Sequence, residues 1–209
     1  TQGVSSAASD VYKRQGLHNE FSLDQMKACI SLAEKYGGSF RHVVTGIQIT
    51  GIDKDDKEAL IAELPDGVTT VIHRGVNSLI ACVGKGKCKN GQMETAELAD
   101  YIERKHYGRK TSHKCKIGIS GCGRNCPDSM VKDIAFIGTS QGFMLAVGGN
   151  TGMRPEAGKI LMRKLSVEQA KKAADILIDW YAENGEPKER MGKLLERLGN
   201  PLELSLIHI

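Results

Sequence analysis

Of the six cysteines in this chain, four fall in two tight pairs, Cys82-x5-Cys88 and Cys122-x3-Cys126. The second pair lies inside Ile119-Ser-Gly-Cys-Gly-Arg-Asn-Cys-Pro127. Four thiolates in two groups, with glycines beside the ligands and a proline after the last, suit an iron–sulfur cubane. A reduced cubane needs backbone N–H donors aimed at its sulfurs, and Gly84, Gly86, Gly91, Gly121 and Gly123 permit that close approach. Pro127 has no N–H to satisfy and stiffens the turn. Tetrahedral zinc favours pairs separated by roughly two to four residues, so the x5 gap suits it less; zinc and plain structural thiols stay open as alternatives. A disulfide framework fits poorly, because the chain can build a core and shows no signal peptide, which makes a reducing cytoplasm the expected compartment. Cys29, beside Ile30 on a helix, and Cys115, in a strand, read as packing residues.

Positive charge collects around these pairs. Between Cys82 and Asp133 there are eleven Lys or Arg against six Asp or Glu, while the rest of the chain has eighteen against nineteen. Such a surplus favours an anionic cofactor and an anionic substrate, although a solvated helix end around Arg104 to Lys110 explains part of it. Lys114 and Lys116 alternate about Cys115, so both point to one face of a strand. The plain alternative is a solvent-facing pair on an edge strand. Gly148-Gly149-Asn150-Thr151-Gly152 with Arg154 is a glycine-rich turn that can hold carboxylates through a backbone nest, or an ordinary loop. It lacks the strand-then-helix context of a dinucleotide fingerprint. His42, His73, His106 and His113 form no ligand cluster in sequence.

The motifs also occur in a telling order: Ala81-Cys-Val-Gly-Lys-Gly-Lys-Cys-Lys-Asn-Gly91, Lys116-Ile-Gly-Ile-Ser-Gly-Cys-Gly-Arg-Asn-Cys-Pro127, Asp133-Ile-Ala-Phe-Ile-Gly138 and Val147-Gly-Gly-Asn-Thr-Gly152. Together they resemble the haem-binding half of the sirohaem-dependent sulfite and nitrite reductases, over residues 16–200. The resemblance implies a [4Fe–4S] cluster on Cys82, Cys88, Cys122 and Cys126, with the Cys126 thiolate also the axial ligand of a sirohaem. It implies six-electron reduction of sulfite to sulfide or of nitrite to ammonia. Each oxygen leaves as water, so the small oxyanion needs acidic hydrogen-bond donors around it. The family's ring of cations maps onto Lys114, Lys116, Arg74 and Arg41. The family's threonine–arginine–glutamine run is not legible in Arg41-His-Val-Val-Thr-Gly-Ile-Gln48. Sirohaem is rich in carboxylates, and Arg124, Asn125, Gly148, Gly149, Asn150 and Arg154 are the candidates to meet it. No flavin or nucleotide motif is present, so an external electron-donor protein is expected. Many relatives carry two copies of this module, so a second reductase subunit is a further expected partner. The competing function is an iron–sulfur electron-transfer or sensory protein without an open haem site, which needs the cluster alone.

The elements that must position these residues read as α/β (α+β). A ferredoxin-like half-domain at 16–65, short of its first strand, precedes a mixed-sheet sirohaem and [4Fe–4S]-binding domain at 66–200. Ser22-Leu-Asp-Gln25 is a capping box that opens a helix, stopped by Gly37-Gly38. Phe40 to Thr50 reads as one strand and Asp55 to Leu64 as a helix. After the Pro65-Asp66-Gly67 turn, strands are expected at Val68 to His73, Leu79 to Cys82, Cys115 to Ser120, Asp133 to Gly138, Phe143 to Gly148 and Lys159 to Lys164. Helices are expected from Glu94 to His106, from the Ser166-Val-Glu-Gln169 cap to Asn184, and from Lys188 to Leu198.

Residues 1–15 and the end of 201–209 look foreign, resembling translated adapter sequence, and read as disordered tails. With no initiating methionine, the natural N-terminus is expected to be missing. No apolar run approaches the ~18 residues of a membrane span. No basic stripe interleaves with aromatics, which argues against nucleic acid.

Overall fold

The computed structural model describes residues 6–13, 21–43, 46–70 and 74–202. It divides into two units, Thr1–Val71 and Ile72–Ile209.

In the first unit, helix α1 (Leu23–Lys35) begins where the sequence marks a cap. The Gln25 N–H donates to Ser22 Oγ at 3.1 Å, and the Ser22 N–H donates back to Gln25 Oε1 at 3.0 Å. Four strands, β1 (Ser6–Lys13), β2 (Ser39–Val43), β3 (Gly46–Asp53) and β4 (Val68–Thr70), and helix α2 (Lys57–Ala62) complete the unit. The sheet order is β2-β3-β1-β4 and every pair is antiparallel. This is a whole βαββαβ split unit rather than a half. Cys29, Ala33, Ile47, Ile49, Ile52 and Leu60 form its core.

Two expectations are corrected there. The single strand over Phe40 to Thr50 is a hairpin, in which Val43 pairs with Gly46, whose φ of +146° suits glycine alone. The tail expected to be disordered supplies the missing first strand, since Ser6–Lys13 pairs with both β3 and β4. Small polar residues give no apolar alternation, but a strand between two others is held by backbone hydrogen bonds that depend little on side chains. Residues 1–5, 14–20, 44, 45, 71–73 and 203–209, including part of both expected tails and His73, lie outside the described residues.

The second unit is a five-stranded sheet of β5 (Gly75–Ala81), β6 (Lys114–Ser120), β7 (Ile134–Thr139), β8 (Gly142–Val147) and β9 (Lys159–Leu165), in that order. The first three strands are parallel and the last two antiparallel. Helices α3 (Ala96–His106), α4 (Val167–Asn184) and α5 (Met191–Leu198) cover one face. Alternate residues Cys115, Ile117 and Ile119 of β6 and Ile134 and Phe136 of β7 are fully buried against them. On α4 the buried positions Ala170, Ala173, Ala174, Leu177, Ile178 and Tyr181 recur at three- and four-residue spacing, behind a Ser166 cap with the same reciprocal bonds as Ser22. Each large apolar side chain buried here contributes about 1.5–3 kcal/mol. Asp175 ties α4 to α3, accepting from Tyr101 Oη at 2.7 Å, Lys105 Nζ at 2.7 Å and His106 Nε2 at 2.6 Å. The opposite sheet face carries a small apolar cluster, Ala135, Ile137 and Ala146 with Met130 and Met144.

Candidate metal centre

Because β5 and β6 run parallel, Cys82 and Cys122, which follow their last residues, emerge at the same end of the sheet. The Cys82 N–H donates to Ile119 O at 3.0 Å, continuing the ladder into the first cysteine loop. The Gly121 N–H then donates to Cys82 Sγ at 3.0 Å, and Gly121 O accepts from the Gln92 and Met93 N–H groups at 2.8 and 3.0 Å. Buried Thr95 fixes the base of the loop through Oγ1 to Cys82 O at 2.5 Å. Within it, the Cys88 N–H donates to Gly84 O at 3.0 Å and the Gly91 N–H to Cys88 O at 2.9 Å.

Glycine is what lets the two loops meet. A Cβ on Gly91 would lie 2.6 Å from the Gly84 carbonyl carbon, and one on Gly121 would lie 2.8 Å from Gly84 Cα. Gly138, beneath them on β7, would place a Cβ 2.3 Å from Gly121 O. All four thiols are free; Cys82, Cys88 and Cys122 are half-buried and Cys126 is exposed. Among the described residues, no three Cys, His, Asp or Glu side chains converge tightly enough to hold one metal ion. A cubane takes one thiolate per iron, so its sulfurs sit around the corners of a larger body. Two loops locked together, four free thiols at one end of the sheet, and a thiol already accepting a backbone N–H fit the cluster.

After Cys122 the chain turns back over the polar face of β6. Asn125 and Asp128 take left-handed φ of +54° and +53°, unusual for non-glycine residues and bracketing Cys126 and Pro127. Asn125 Oδ1 accepts from the Met130 N–H at 3.3 Å and Ser120 Oγ at 3.4 Å, so this atom sets the loop's shape rather than reaching outward. Ser129 then packs on Gly118, where a Cβ would lie 2.6 Å from its Cα. Exposed Arg124 lines a shallow pocket of about 500 Å³ with Lys89, Asn90, Gln92 and Cys122.

Lys114 and Lys116 do share one face of β6, as expected, but β6 is an interior strand and they sit at its far end. Lys114 to Ser120 spans about 20 Å at roughly 3.3 Å per residue. The Ser129 return segment occupies the face between the lysines and the cysteines. Within one chain the lysine pair is therefore not brought to the thiols. Arg74 joins Lys114 in a pocket of about 460 Å³ with Ser112, His113, Pro187 and Lys188. Arg41 is an exposed residue of β2 in the first unit.

The glycine-rich turn after β8 is not an open nest. Gly149 is buried with no room for a Cβ, which would meet Met130 O at 2.4 Å, and Gly148 packs on Gly192 of α5. The Gly148 N–H donates to Asp133 O at 2.8 Å, the Asn150 N–H to Glu156 O at 2.9 Å and the Gly152 N–H to Asn150 Oδ1 at 3.0 Å. These donors are engaged internally, leaving Arg154 as the exposed cation of the turn.

Two features were not anticipated. Fully buried Asp133 accepts from the Lys116 N–H at 2.9 Å through one oxygen and from Arg190 Nε and Nη2 at 3.0 and 2.7 Å through the other. It extends the strand ladder by a side chain and docks the start of α5. The second feature is Asn77, at a bulge in β5, which is 8% exposed with Oδ1 unpartnered. A polar pair inside Val76-Asn-Ser-Leu-Ile80 was the only available signal. Burial, with Lys114, Lys132 and Arg190 nearby, lowers the Lys116 pKa. His106 and His113 are structural neighbours of ion pairs rather than a ligand set; the side chain of His42 lies outside the described residues.

Residues 73–201 match the protein family described as nitrite and sulphite reductase 4Fe-4S domain. The chain is 29% identical over 178 residues to the assimilatory-type sulfite reductase of Nitratidesulfovibrio vulgaris, covering 84% of this chain and 82% of that protein. It is 31% identical over 153 residues to the NAD(P)H nitrite reductase of Bacillus subtilis, covering 73% of this chain but 19% of that protein. Among solved structures, a dissimilatory sulfite reductase I superposes with a TM-score of 0.78 at 13% identity, over 96% of this chain and 68% of that one. The NirA protein of Mycobacterium tuberculosis gives 0.74 at 19% identity, over 95% and 39%. These likenesses establish the fold.

Proposed function

The chain belongs to the nitrite and sulphite reductase 4Fe-4S domain family, and on that premise we propose that it is an oxidoreductase taking sulfite to sulfide or nitrite to ammonia. The observation that carries this reading is the hydrogen-bonded union of the two cysteine loops at one end of the sheet. Cys82, Cys88, Cys122 and Cys126 would hold the [4Fe–4S] cluster, with Cys126, the exposed thiol, also facing the sirohaem. When bound, these groups supply single electrons and the iron at which the oxyanion is reduced. The chain itself shapes and charges the surroundings. Backbone N–H groups such as that of Gly121 stabilise thiolate charge. Arg124 stands on the loop between two ligands, where it can pair with macrocycle carboxylates.

Arg74, Lys114 and Lys116 give the far end of the sheet a positive field that attracts anions, and Arg41 does so in the first unit. Electrons arrive from a separate donor, and exposed Lys85, Lys89 and Arg124 around the thiols suit an acidic protein. Relatives named for NAD(P)H and coenzyme F420 illustrate two donor chemistries in larger proteins. Among the described residues no helix is long and apolar enough to cross a membrane. Free thiols throughout support a reducing, cytoplasmic setting.

The test is turnover with a small viologen reductant after expression alongside sirohaem synthesis. Consumption of sulfite or nitrite that is lost in Cys126→Ser supports the reading; a loaded protein that reduces neither leaves an electron carrier as the better account.

A further inference from the structure

We propose that the small hollow where the β7–β8 hairpin meets β9, lined by Thr139, Ser140, Gln141, Met144, Arg163 and Lys164, is a binding site for a dianionic tetrahedral oxyanion of the phosphate type. None of these residues belongs to the thiol loops or to the cations assigned above to the reducible oxyanion, so the site stands or falls apart from the reductase reading.

The pairing of β9 with β8 slips by one residue beside this hollow. Leu145 pairs with Met162 and Phe143 with Leu165, so Arg163 and Lys164 together oppose the single residue Met144. In a regular strand two successive side chains point to opposite faces. Here Lys164 takes φ +61°, a left-handed conformation that is costly to a residue with a Cβ, and both cations line the same hollow. Bulges that re-aim a side chain in this way are over-represented next to active sites.

The hairpin is clamped onto the bulge. A Cβ on Gly142 would lie 2.5 Å from Leu165 O and 2.9 Å from the Lys164 carbonyl carbon, so glycine permits the approach. Thr139 Oγ1 donates to Gly142 O at 2.8 Å and accepts the Gln141 N–H at 3.2 Å, which fixes the turn. Exposed Ser140 and Gln141 bring a hydroxyl and an amide to the same hollow as further hydrogen-bond donors.

Charge and size define the ligand. Among the lining residues none is acidic, and among the described residues neither Arg163 nor Lys164 has a carboxylate partner. Arg163 Nη1 donates instead to Met144 Sδ at 3.3 Å, a weak acceptor, which steadies the guanidinium and leaves its other N–H groups for an anion. Two adjacent cations repel each other, and a doubly charged anion between them relieves that repulsion. The hollow is about 160 Å³, below the roughly 300–1,000 Å³ of organic-ligand pockets. At about 30 Å³ per water it has room for an oxyanion of a few atoms.

Calorimetric titration of the full chain with inorganic phosphate, phenyl phosphate and chloride, at equal ionic strength, tests the proposal. It is run on protein with and without cluster and sirohaem, and cofactor content is measured separately, so failed loading is not mistaken for a failed site. The expected result is phosphate binding about tenfold or more tighter than chloride, weakened about tenfold, near 1.4 kcal/mol, by Arg163→Gln and by Lys164→Gly. Lys164→Gly also removes the left-handed strain, so its urea midpoint should equal or exceed the parent's, which separates lost binding from lost folding. Arg74→Ala, at the start of β5 and so at the other end of the sheet, should bind as the parent does. Phenyl phosphate binding no tighter than phosphate would assign the site to the free anion; tighter binding would assign it to a phosphate monoester of a larger molecule. No phosphate binding, chloride binding equally well, or parent-like binding in either hollow variant would overturn the proposal. So would phosphate binding that is lost on sirohaem loading, which would give the two cations to the macrocycle.

Discussion

The backbone N–H of Gly121 meets the Sγ of Cys82 at 3.0 Å, joining cysteine loops that lie 39 residues apart. That bond exists because Gly121 has no side chain. A Cβ there would come within 2.8 Å of Gly84 Cα and 3.0 Å of Met93 O. Gly121→Ala should therefore force the loops apart at a cost of about 1–3 kcal/mol. We expect cluster iron per chain to fall by about half or more after anaerobic reconstitution, with far-UV circular dichroism unchanged. Full iron loading in this variant would mean that the loops need no such approach.

Serine at Cys82, Cys88, Cys122 or Cys126 should abolish stable cluster formation, read as acid-labile sulfide. Cys29 and Cys115, both fully buried in apolar cores, should behave differently. Serine there should keep the cluster while lowering stability to urea by about 1–3 kcal/mol, the cost of burying a hydroxyl. Equal loss of sulfide in Cys115→Ser and Cys122→Ser would mean the ligand set is wrong.

Asp175 gives a pH signature. Burial alone would raise its pKa, but bonds from Lys105, His106 and Tyr101 outweigh it and hold the carboxyl below its usual range. A carboxylate with a depressed folded pKa stabilises the fold above its unfolded value, about 3.9, and loses that contribution as pH falls through the folded value. Asp175→Asn should be destabilised by about 1–3 kcal/mol at neutral pH. The gap to the parent should close below roughly pH 4 in a urea series. A gap constant from neutral to acidic pH would remove the ionic contribution.

Lys116→Ala should leave cluster iron and the absorption spectrum intact, because the side chain lies at the other end of β6 from the thiols. If the positive field at that end serves the anion, kcat/KM should drop by about tenfold or more, the effect of one lost charge-assisted bond. Unchanged kinetics would make Lys116 a structural residue.

The cysteine loops were legible in the sequence because their chemistry is local: spacing, flanking glycines and a following proline lie within a few residues. Both capping boxes were legible for the same reason, and Ser22 and Ser166 make the expected reciprocal bonds. What stayed hidden was long-range. Ser6–Lys13 is a strand only because β3 and β4 flank it. Alternation placed Lys114 and Lys116 on one face correctly, but nothing local announced that Ser129 would cover Gly118 between them and the thiols. Asp133 likewise shows its role only when Arg190, distant in sequence, arrives beside it. The glycines of the turn after β8 suggested a ligand nest, whereas the fold uses them for backbone contacts with α5 and the Ser129 turn.

The most direct test of the central claim is the anaerobic absorption spectrum with iron, acid-labile sulfide and tetrapyrrole quantified per chain, after expression alongside sirohaem synthesis. The account predicts sirohaem bands with about four cluster irons and one haem iron for each chain. Zinc in place of iron, or protein that takes up neither sulfide nor tetrapyrrole, would contradict it.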